Sequence, residues 1–130
     1  MSHSRRHFIK ASAAASIALA APAVHAAKAG KKYRTALIGS GWWGKVITEM
    51  AMADGSVDMV AVCDVDQSMN EEAIALIKDK SNNAPKQYKD YRELLEQEKP
   101  EICIVATPDH WHPLICIAAC EAGAHVYVEK

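Results

Sequence analysis

Short apolar runs alternate with segments of helical periodicity from Tyr33 to the end of the chain. The apolar runs predict five strands, at residues 35–38, 57–64, 87–88, 102–106 and 125–129. Strands that are joined through helices run parallel, and a parallel sheet needs helices on both of its faces. The alternation therefore predicts an α/β fold, a doubly wound parallel sheet with strand order 3-2-1-4-5.

Start and stop signals support helices between these strands. Asp66 and Asp90 can each cap the start of a helix with a side-chain oxygen. Pro113 fits the first turn of the last helix, and Gly123 fits its carboxyl end.

The first 26 residues differ from the rest, with three basic residues, no acidic residue and nine alanines. A basic start, a short apolar stretch and a small-residue site at residues 24–26 are typical of a signal peptide. Residues 4–10 read SRRHFIK and closely resemble the twin-arginine export signal of bacteria. We therefore expect a twin-arginine signal peptide over residues 1–26 and a linker over residues 27–32. The alternative is an ordinary secretory signal.

The resemblance implies an exported, periplasmic protein that the twin-arginine machinery carries in folded form.

The 15 Lys and Arg residues nearly balance the 16 Asp and Glu residues, which leaves a net charge of −1. Three of the basic residues lie in residues 1–26, so the remainder has 12 basic and 16 acidic residues and a charge of −4. Nucleic-acid binding needs a basic surface, and no apolar run after residue 26 suits a membrane span. We expect neither nucleic acid nor a permanent membrane span.

The four cysteines could pair in an exported protein. Cys63 and Cys103, however, lie in predicted central strands, where a free thiol behaves as a small buried hydrophobe. Cys116 and Cys120 are four residues apart on a predicted helix, and pairing needs a specific geometry. There is no CxxC pair, so we expect neither a disulfide framework nor a zinc site.

Residues 39–44 read GSGWWG, and they follow a strand and open a helix. Gly39 permits the tight turn, Gly41 lets the backbone approach a pyrophosphate, and Gly44 lets helix and strand pack closely. The amides at the helix N-terminus can bind the phosphates. Together with Asp64, 20 residues after Gly44, this pattern predicts a dinucleotide-binding domain of Rossmann type over residues 33–130.

Asp64 ends the second strand, where its carboxylate can accept hydrogen bonds from both hydroxyls of the adenosine ribose. The same carboxylate repels a 2′-phosphate, and no arginine follows directly, so NAD is predicted over NADP. Trp42 and Trp43 are unusual in a glycine loop. Their backbone amides can meet phosphate, while their side chains either face the nicotinamide side or cover the sheet.

Residues 107–113 follow the fourth strand and read TPDHWHP, and Glu129 and Lys130 follow the fifth. With the glycine motif and Asp64, these residues resemble the N-terminal domain of the Gfo/Idh/MocA oxidoreductases, which include glucose–fructose oxidoreductase and inositol dehydrogenase. The resemblance covers about residues 32–130. It implies that four residues after the fourth strand line the nicotinamide end of the cofactor site: Thr107, Pro108, His110 and His112.

Glu129 and Lys130 match the start of the family's Glu-Lys-Pro motif, whose lysine acts near the reacting carbon. The resemblance thus implies hydride transfer between NAD and a sugar or polyol, with Lys130 moving or stabilising the hydroxyl proton. Other interpretations remain open. His110 and His112 could be a metal pair, although further ligands are not evident, or they could cap a helix and line a pocket. Lys130 could be a solvated residue.

Members of the family carry a second α/β domain after this one, and the full-length protein is expected to be a homo-oligomer. We therefore expect this chain to be truncated before that domain and to show little or no turnover alone. Three functions remain: a sugar oxidoreductase, an NAD-dependent glycosidase that oxidises and re-reduces the sugar around an elimination, and a non-catalytic nucleotide-binding module.

Overall fold

A computed structural model describes residues 30–129, which form a five-stranded parallel sheet flanked by helices. The elements are, in chain order, β1 (Tyr33–Ile38), α1 (Trp42–Met52), β2 (Val57–Cys63), α2 (Gln67–Ser81), β3 (Lys86–Tyr88), α3 (Tyr91–Glu98), β4 (Ile102–Val105), a 3-10 turn (Asp109–Trp111), α4 (His112–Glu121) and β5 (His125–Val128). The predicted signal peptide and Lys130 lie outside the described residues.

The sheet has the order β3-β2-β1-β4-β5, so the predicted topology is confirmed. β1 lies in the middle and pairs with β2 on one side and β4 on the other. Its last residue, Ile38, is in register with Cys63 of β2 and with Val105 of β4. The three central strands therefore end level with one another, and the loops that follow them meet at one edge of the sheet.

Side chains from the central strands are buried on both faces, as the near-continuous apolar runs predict. Leu37 faces a core formed with α1 and α2, which also contains Ile47 and Ile77. Ala36 and Ile38 face the opposite core, formed with α3 and α4. Each fully buried Leu or Ile side chain contributes about 1.5–3 kcal/mol to folding, so the two cores hold the sheet between its helices.

The predicted helix signals are confirmed. Asp66 caps α2 by accepting from the amide of Ser68 at 2.9 Å, and Asp90 caps α3 by accepting from the amide of Arg92 at 2.9 Å. Gly123 follows α4 with a φ of 85°, a left-handed conformation that glycine adopts readily. Within residues 30–129, no helix is long and apolar enough to cross a bilayer.

The four cysteines are free thiols. Cys63 and Cys103 are buried in the core on the α3 and α4 face, as their strand positions predict. Burial raises the pKa of both thiols to about 12, so both are uncharged at neutral pH. Cys116 is partly buried on α4, whereas Cys120 is exposed.

A buried carboxylate ties the end of α3 to β1 and β3. Glu98 is 7% exposed, and its Oε1 accepts from the Tyr88 hydroxyl at 2.6 Å and from the Lys86 ammonium at 2.8 Å. Arg34 donates to the Glu98 carbonyl oxygen at 2.6 Å and lies 3.4 Å from Oε2. Lys86 and Tyr88, with Arg34 nearby, hold the pKa of the Glu98 carboxyl below its usual range.

We expect Glu98→Gln to lower the free energy of unfolding by about 1 kcal/mol at neutral pH, because charged hydrogen bonds become neutral ones. A lowered folded-state pKa stabilises the protein above the carboxyl's unfolded pKa, and this stabilisation is lost as the pH falls through the folded-state value. The difference in the free energy of unfolding between wild type and Glu98→Gln should therefore disappear at acidic pH. Denaturant unfolding at several pH values measures it.

The control is Glu96→Gln, which removes an exposed carboxylate from the same helix. This variant should unfold close to wild type at every pH. A Glu98→Gln protein that matched Glu96→Gln at neutral pH would show that the Glu98 contacts contribute no net stability.

Candidate functional site

The glycine loop joins β1 to α1 at the level where β2 and β4 also end. Gly39 has a φ of 96°, and its amide donates to the carbonyl of Cys63 at 2.8 Å. A Cβ on Gly39 would lie 2.6 Å from the carbonyl carbon of Ala106 and 2.7 Å from the amide nitrogen of Thr107. Only glycine lets this loop pass so close to the segment after β4.

Gly41 and Gly44 have different surroundings. A Cβ on Gly44 would overlap the carbonyl oxygen of Gly39 and lie 3.3 Å from the Leu37 side chain, so Gly44 permits close packing of α1 on β1. A Cβ on Gly41 would meet nothing within 4 Å. The space in front of Gly41 is therefore open, as the approach of a pyrophosphate requires.

Gly41 is also the residue that precedes the first turn of α1. It provides no side-chain cap, and the first turn of α1 contains no acidic residue. The amide groups at the start of α1 thus face the open space with the positive end of the helix dipole. This arrangement suits an anionic group such as a phosphate.

Asp64 follows β2 and lies beside the glycine loop. Its Oδ2 accepts from the amide of Ser40 at 2.8 Å, and its Oδ1 accepts from the amide of Asp66 at 3.0 Å. A carboxylate oxygen has room for a second hydrogen bond, so both oxygens can still accept from the hydroxyls of a ribose. The hydrogen bonds from the two amides fix the orientation of the carboxylate.

A cleft of about 560 Å³ brings these groups together at the carboxyl edge of the sheet. Gly39, Gly41 and Asp64 line it together with Thr107 and Pro108 from the segment after β4. The structure therefore unites sequence-predicted residues from three separate segments of the chain. Ligands of open α/β sheets bind at this position, outside the carboxyl ends of the strands.

Residues 89–92, which run from the end of β3 into the first turn of α3, form a wall of the cleft that was not predicted from the sequence. Lys89, Asp90, Tyr91 and Arg92 all line the cleft. Arg92 donates to both oxygens of Asp90, from Nε at 2.9 Å and from a terminal nitrogen at 2.8 Å, and its guanidinium lies 5.4 Å from the Tyr91 ring centroid. The position of this segment after a strand of the sheet was the signal that could have revealed it.

Thr107 lines the cleft next to the end of β4, and His112 contacts its backbone. The Thr107 Oγ1 is buried and has no hydrogen-bond partner among residues 30–129. Because a carbonyl only accepts, the His112 ring donates from Nε2 to the carbonyl oxygen of Thr107, at 2.6 Å. His110 is exposed on the 3-10 turn, with its ring centroid 6.0 Å from that of Trp111.

A second cleft, of about 370 Å³, lies beside the first residues after β5. Asp109, His112, Val128 and Glu129 line it. The Glu129 amide donates to the carbonyl of Val105 at 3.0 Å, which continues the pairing of β5 with β4. His112 and Glu129 thus line the same cleft, and their role at the reacting end of the site stays a prediction. Lys130 lies outside the described residues.

The two tryptophans of the glycine loop take different positions. Trp43 packs against the core formed with α1 and α2, so its side chain covers the sheet. Trp42 is 73% exposed, and its ring centroid lies 5.2 Å from that of Trp43. Neither side chain lines the cleft of Asp64 within the described part of the chain. A contact of their backbone amides with phosphate stays a prediction.

The sequence model of an oxidoreductase family with an NAD-binding Rossmann fold matches residues 33–130. The chain belongs to this family, the Gfo/Idh/MocA oxidoreductases. The predicted family resemblance, the Rossmann-type fold and NAD as the cofactor are therefore confirmed. The roles of individual site residues remain predictions.

Two curated relatives match almost the whole chain. The chain is 36% identical over 131 residues to a glycosyl hydrolase family 109 protein from Stenotrophomonas maltophilia, a match that covers 96% of this chain and 29% of the relative. It is 32% identical over 150 residues to an alpha-N-acetylgalactosaminidase from Shewanella oneidensis, with 96% and 33% covered. The chain thus spans about a third of the length of these relatives.

Solved structures of similar fold include an NAD complex and two dehydrogenases. GenD2 from gentamicin A biosynthesis, in complex with NAD, has a TM-score of 0.69 and 26% identity, with 80% of this chain and 28% of GenD2 covered. Myo-inositol 2-dehydrogenase from Lactobacillus plantarum has a TM-score of 0.64 and 27% identity, with 77% and 28% covered. The WlbA dehydrogenase from Bordetella pertussis, in complex with NADH and UDP-GlcNAcA, has a TM-score of 0.60 and 28% identity, with 77% and 29% covered.

The two glycines at the start of α1 should respond differently to the same substitution. Gly44→Ala should lower the free energy of unfolding by about 1–3 kcal/mol, because its methyl group overlaps the Gly39 carbonyl. Gly41→Ala should change stability by less than about 0.5 kcal/mol, since its φ of −61° suits alanine and its methyl group meets open space. Calorimetric titration should nevertheless show weaker NAD binding by Gly41→Ala. Wild-type NAD affinity in Gly41→Ala would mean that the pyrophosphate lies elsewhere.

Proposed function

We propose that this chain is the NAD-binding domain of an exported enzyme that transfers hydride between NAD and a sugar or polyol. The observation that carries the proposal is the single cleft that joins the glycine loop, Asp64 and Thr107 at the carboxyl edge of the sheet. The names of the solved neighbours support it, since they include a myo-inositol dehydrogenase and a dehydrogenase in complex with NADH and a nucleotide sugar.

The chain's residues fit the cofactor. The open space at Gly41 and the amides of α1 that no side chain caps can hold the pyrophosphate. Asp64 can accept from the ribose hydroxyls, and the buried Thr107 hydroxyl needs a partner of the kind that a bound polar group offers. When bound, NAD supplies the acceptor or donor of a hydride.

The segments after β4 and β5 would handle the substrate hydroxyl. His112 donates to the Thr107 carbonyl, so its ring has a fixed orientation at the second cleft, next to Glu129. Lys130 follows directly in the sequence. We assign to Lys130 the movement or stabilisation of the hydroxyl proton, and to Pro108, His110, His112 and Glu129 contacts with the cofactor at its nicotinamide end.

In the complete protein, Lys130→Met should lower turnover by about 100-fold or more while leaving the Kd for NAD unchanged, because proton transfer typically contributes that much to the rate. The measurement combines NADH formation with a panel of sugars and polyols and an NAD titration. Lys78→Met, which changes an exposed lysine on α2, is the control. If both variants turned over equally fast, Lys130 would have no role in proton transfer.

A second function, NAD-dependent glycoside cleavage, is favoured by the names of the two curated relatives. Such an enzyme oxidises the sugar, eliminates the leaving group, adds water to the resulting double bond and then re-reduces the sugar. Both functions use the same cleft, and their products differ. Net NADH formation together with an oxidised sugar supports the oxidoreductase. Release of the leaving group from a glycoside without net NADH, and with solvent deuterium in the sugar product, supports the glycosidase.

We propose that the twin-arginine machinery exports the protein to the periplasm. The sequence of residues 4–10 supports this proposal.

Replacing Arg5 and Arg6 together by lysine should leave the protein in the cytoplasm, because the export machinery reads the arginine pair. Cell fractionation followed by immunoblotting measures the distribution. Lys10→Arg, which keeps both the pair and the charge, should be exported as wild type is. Normal export of the double lysine variant would overturn the twin-arginine assignment and leave the ordinary secretory route.

A further inference from the structure

A buried asparagine beneath the cofactor cleft holds three segments of the chain together. Asn70 lies in the first turns of α2 and is fully buried. Its Nδ2 donates to the backbone carbonyls of Asp64 at 3.1 Å and Tyr88 at 3.0 Å. Its Oδ1 accepts from the hydroxyl of Ser40 at 2.9 Å. Both groups of the amide are thus used, although no solvent reaches them.

These bonds close a ring with the group that is assigned to the ribose. The Ser40 amide donates to Oδ2 of Asp64, the Ser40 hydroxyl donates to Asn70, and Asn70 donates back to the Asp64 carbonyl. Ser40 is itself fully buried and lies between Gly39 and Gly41. The ring therefore fixes the glycine loop and the Asp64 carboxylate relative to each other.

We propose that Asn70 is a positioning residue for the cofactor, which acts on NAD through Ser40 and Asp64 without touching it. NAD must meet the glycine loop with its pyrophosphate and Asp64 with its ribose at the same time. A loop and a carboxylate that are already held in their binding positions lose less conformational freedom when the cofactor binds. The fixed carboxylate also opposes a 2′-phosphate more strongly than a mobile one, which could turn away from it. The proposal rests on the assignment of NAD to this cleft.

The bond from Asn70 to Tyr88 extends the same arrangement to β3. The carbonyl of Tyr88 accepts from Asn70 and also from the amide of Asp64, at 3.2 Å. Tyr88 is followed directly by residues 89–92, which line the cleft. Asn70 thereby connects the residue that precedes this segment to Asp64 and to the glycine loop.

Asn70→Leu, which keeps the approximate size and removes the polar groups, tests the proposal. We expect the Kd for NAD to rise about tenfold or more, and the preference for NAD over NADP to fall by a similar factor, as the loss of buried hydrogen bonds implies. Isothermal titration of the purified protein with NAD and with NADP gives both values. Thermal unfolding of the same samples confirms that they are folded at the temperature of the titration.

Asn83→Leu is the matched control. Asn83 donates in the same way from Nδ2, to Oδ1 of Asp58 at 2.9 Å and to the carbonyl of Met59 at 3.0 Å, and neither of these acceptors lines the cofactor cleft. This variant should lose stability while keeping the NAD affinity and the coenzyme preference of the wild type. Equal effects of Asn70→Leu and Asn83→Leu on both binding values would overturn the proposal.

Ser40→Ala provides a second, milder variant should Asn70→Leu fail to fold. It removes one hydroxyl group, and it should weaken NAD binding and lower the preference for NAD in the same direction. The Ser40→Ala effect should largely disappear in an Asn70→Leu background when that double variant folds, because both substitutions break the same ring. Ser40→Ala with wild-type NAD affinity and preference would overturn the proposal. A wild-type protein that bound no NAD would refute the cleft assignment itself.

Discussion

Gly39 lies between the carboxyl ends of β2 and β4, where its amide donates to Cys63 and its Cα leaves no room for a side chain against Ala106. This close approach sets the height of the glycine loop above the sheet. The start of α1, the position of Asp64 and the path of the segment after β4 all follow from it. A residue with a Cβ would separate these segments, and the cleft that they share would lose its shape.

The described side chains that line the cleft carry no net positive charge, although we propose that the cleft binds an anionic cofactor. Asp64 and Asp90 contribute two carboxylates, and Lys89 and Arg92 contribute two cations, while Arg92 is held by Asp90. In the proposed binding mode, attraction of a pyrophosphate would depend on the oriented amides of α1 rather than on side-chain charge. The Asp64 carboxylate would distinguish ribose hydroxyls from an additional phosphate. The placement of these groups would then matter more for selectivity than the net charge of the cleft.

Local patterns were sufficient to predict the sheet order, the caps at Asp66 and Asp90, and the meeting of the glycine motif with Asp64, because each depends on neighbours in sequence or on general rules of α/β folds. Asn70 could not be identified in this way. An asparagine in the first turns of a helix is typical of a solvated surface, and its partner Ser40 lies 30 residues away. Trp42 and Trp43 are consecutive residues at the start of α1, so their side chains point in different directions around the helix axis. Sequence periodicity does not resolve which of the two faces the core.

The four thiols differ in solvent exposure, so chemical labelling of cysteines can report on local opening of the sheet. Cys63 in β2 and Cys103 in β4 lie on either side of β1 and are buried and uncharged, whereas Cys120 is exposed. Since thiolates rather than thiols react with alkylating reagents, the folded protein should take up label on α4 and not in the sheet. Cys63 lines the cofactor cleft but is only 4% exposed, so its labelling requires a local opening at the ribose end of the cleft. A bound dinucleotide would slow that opening, so the rate of modification at one internal atom reports how long the site stays closed.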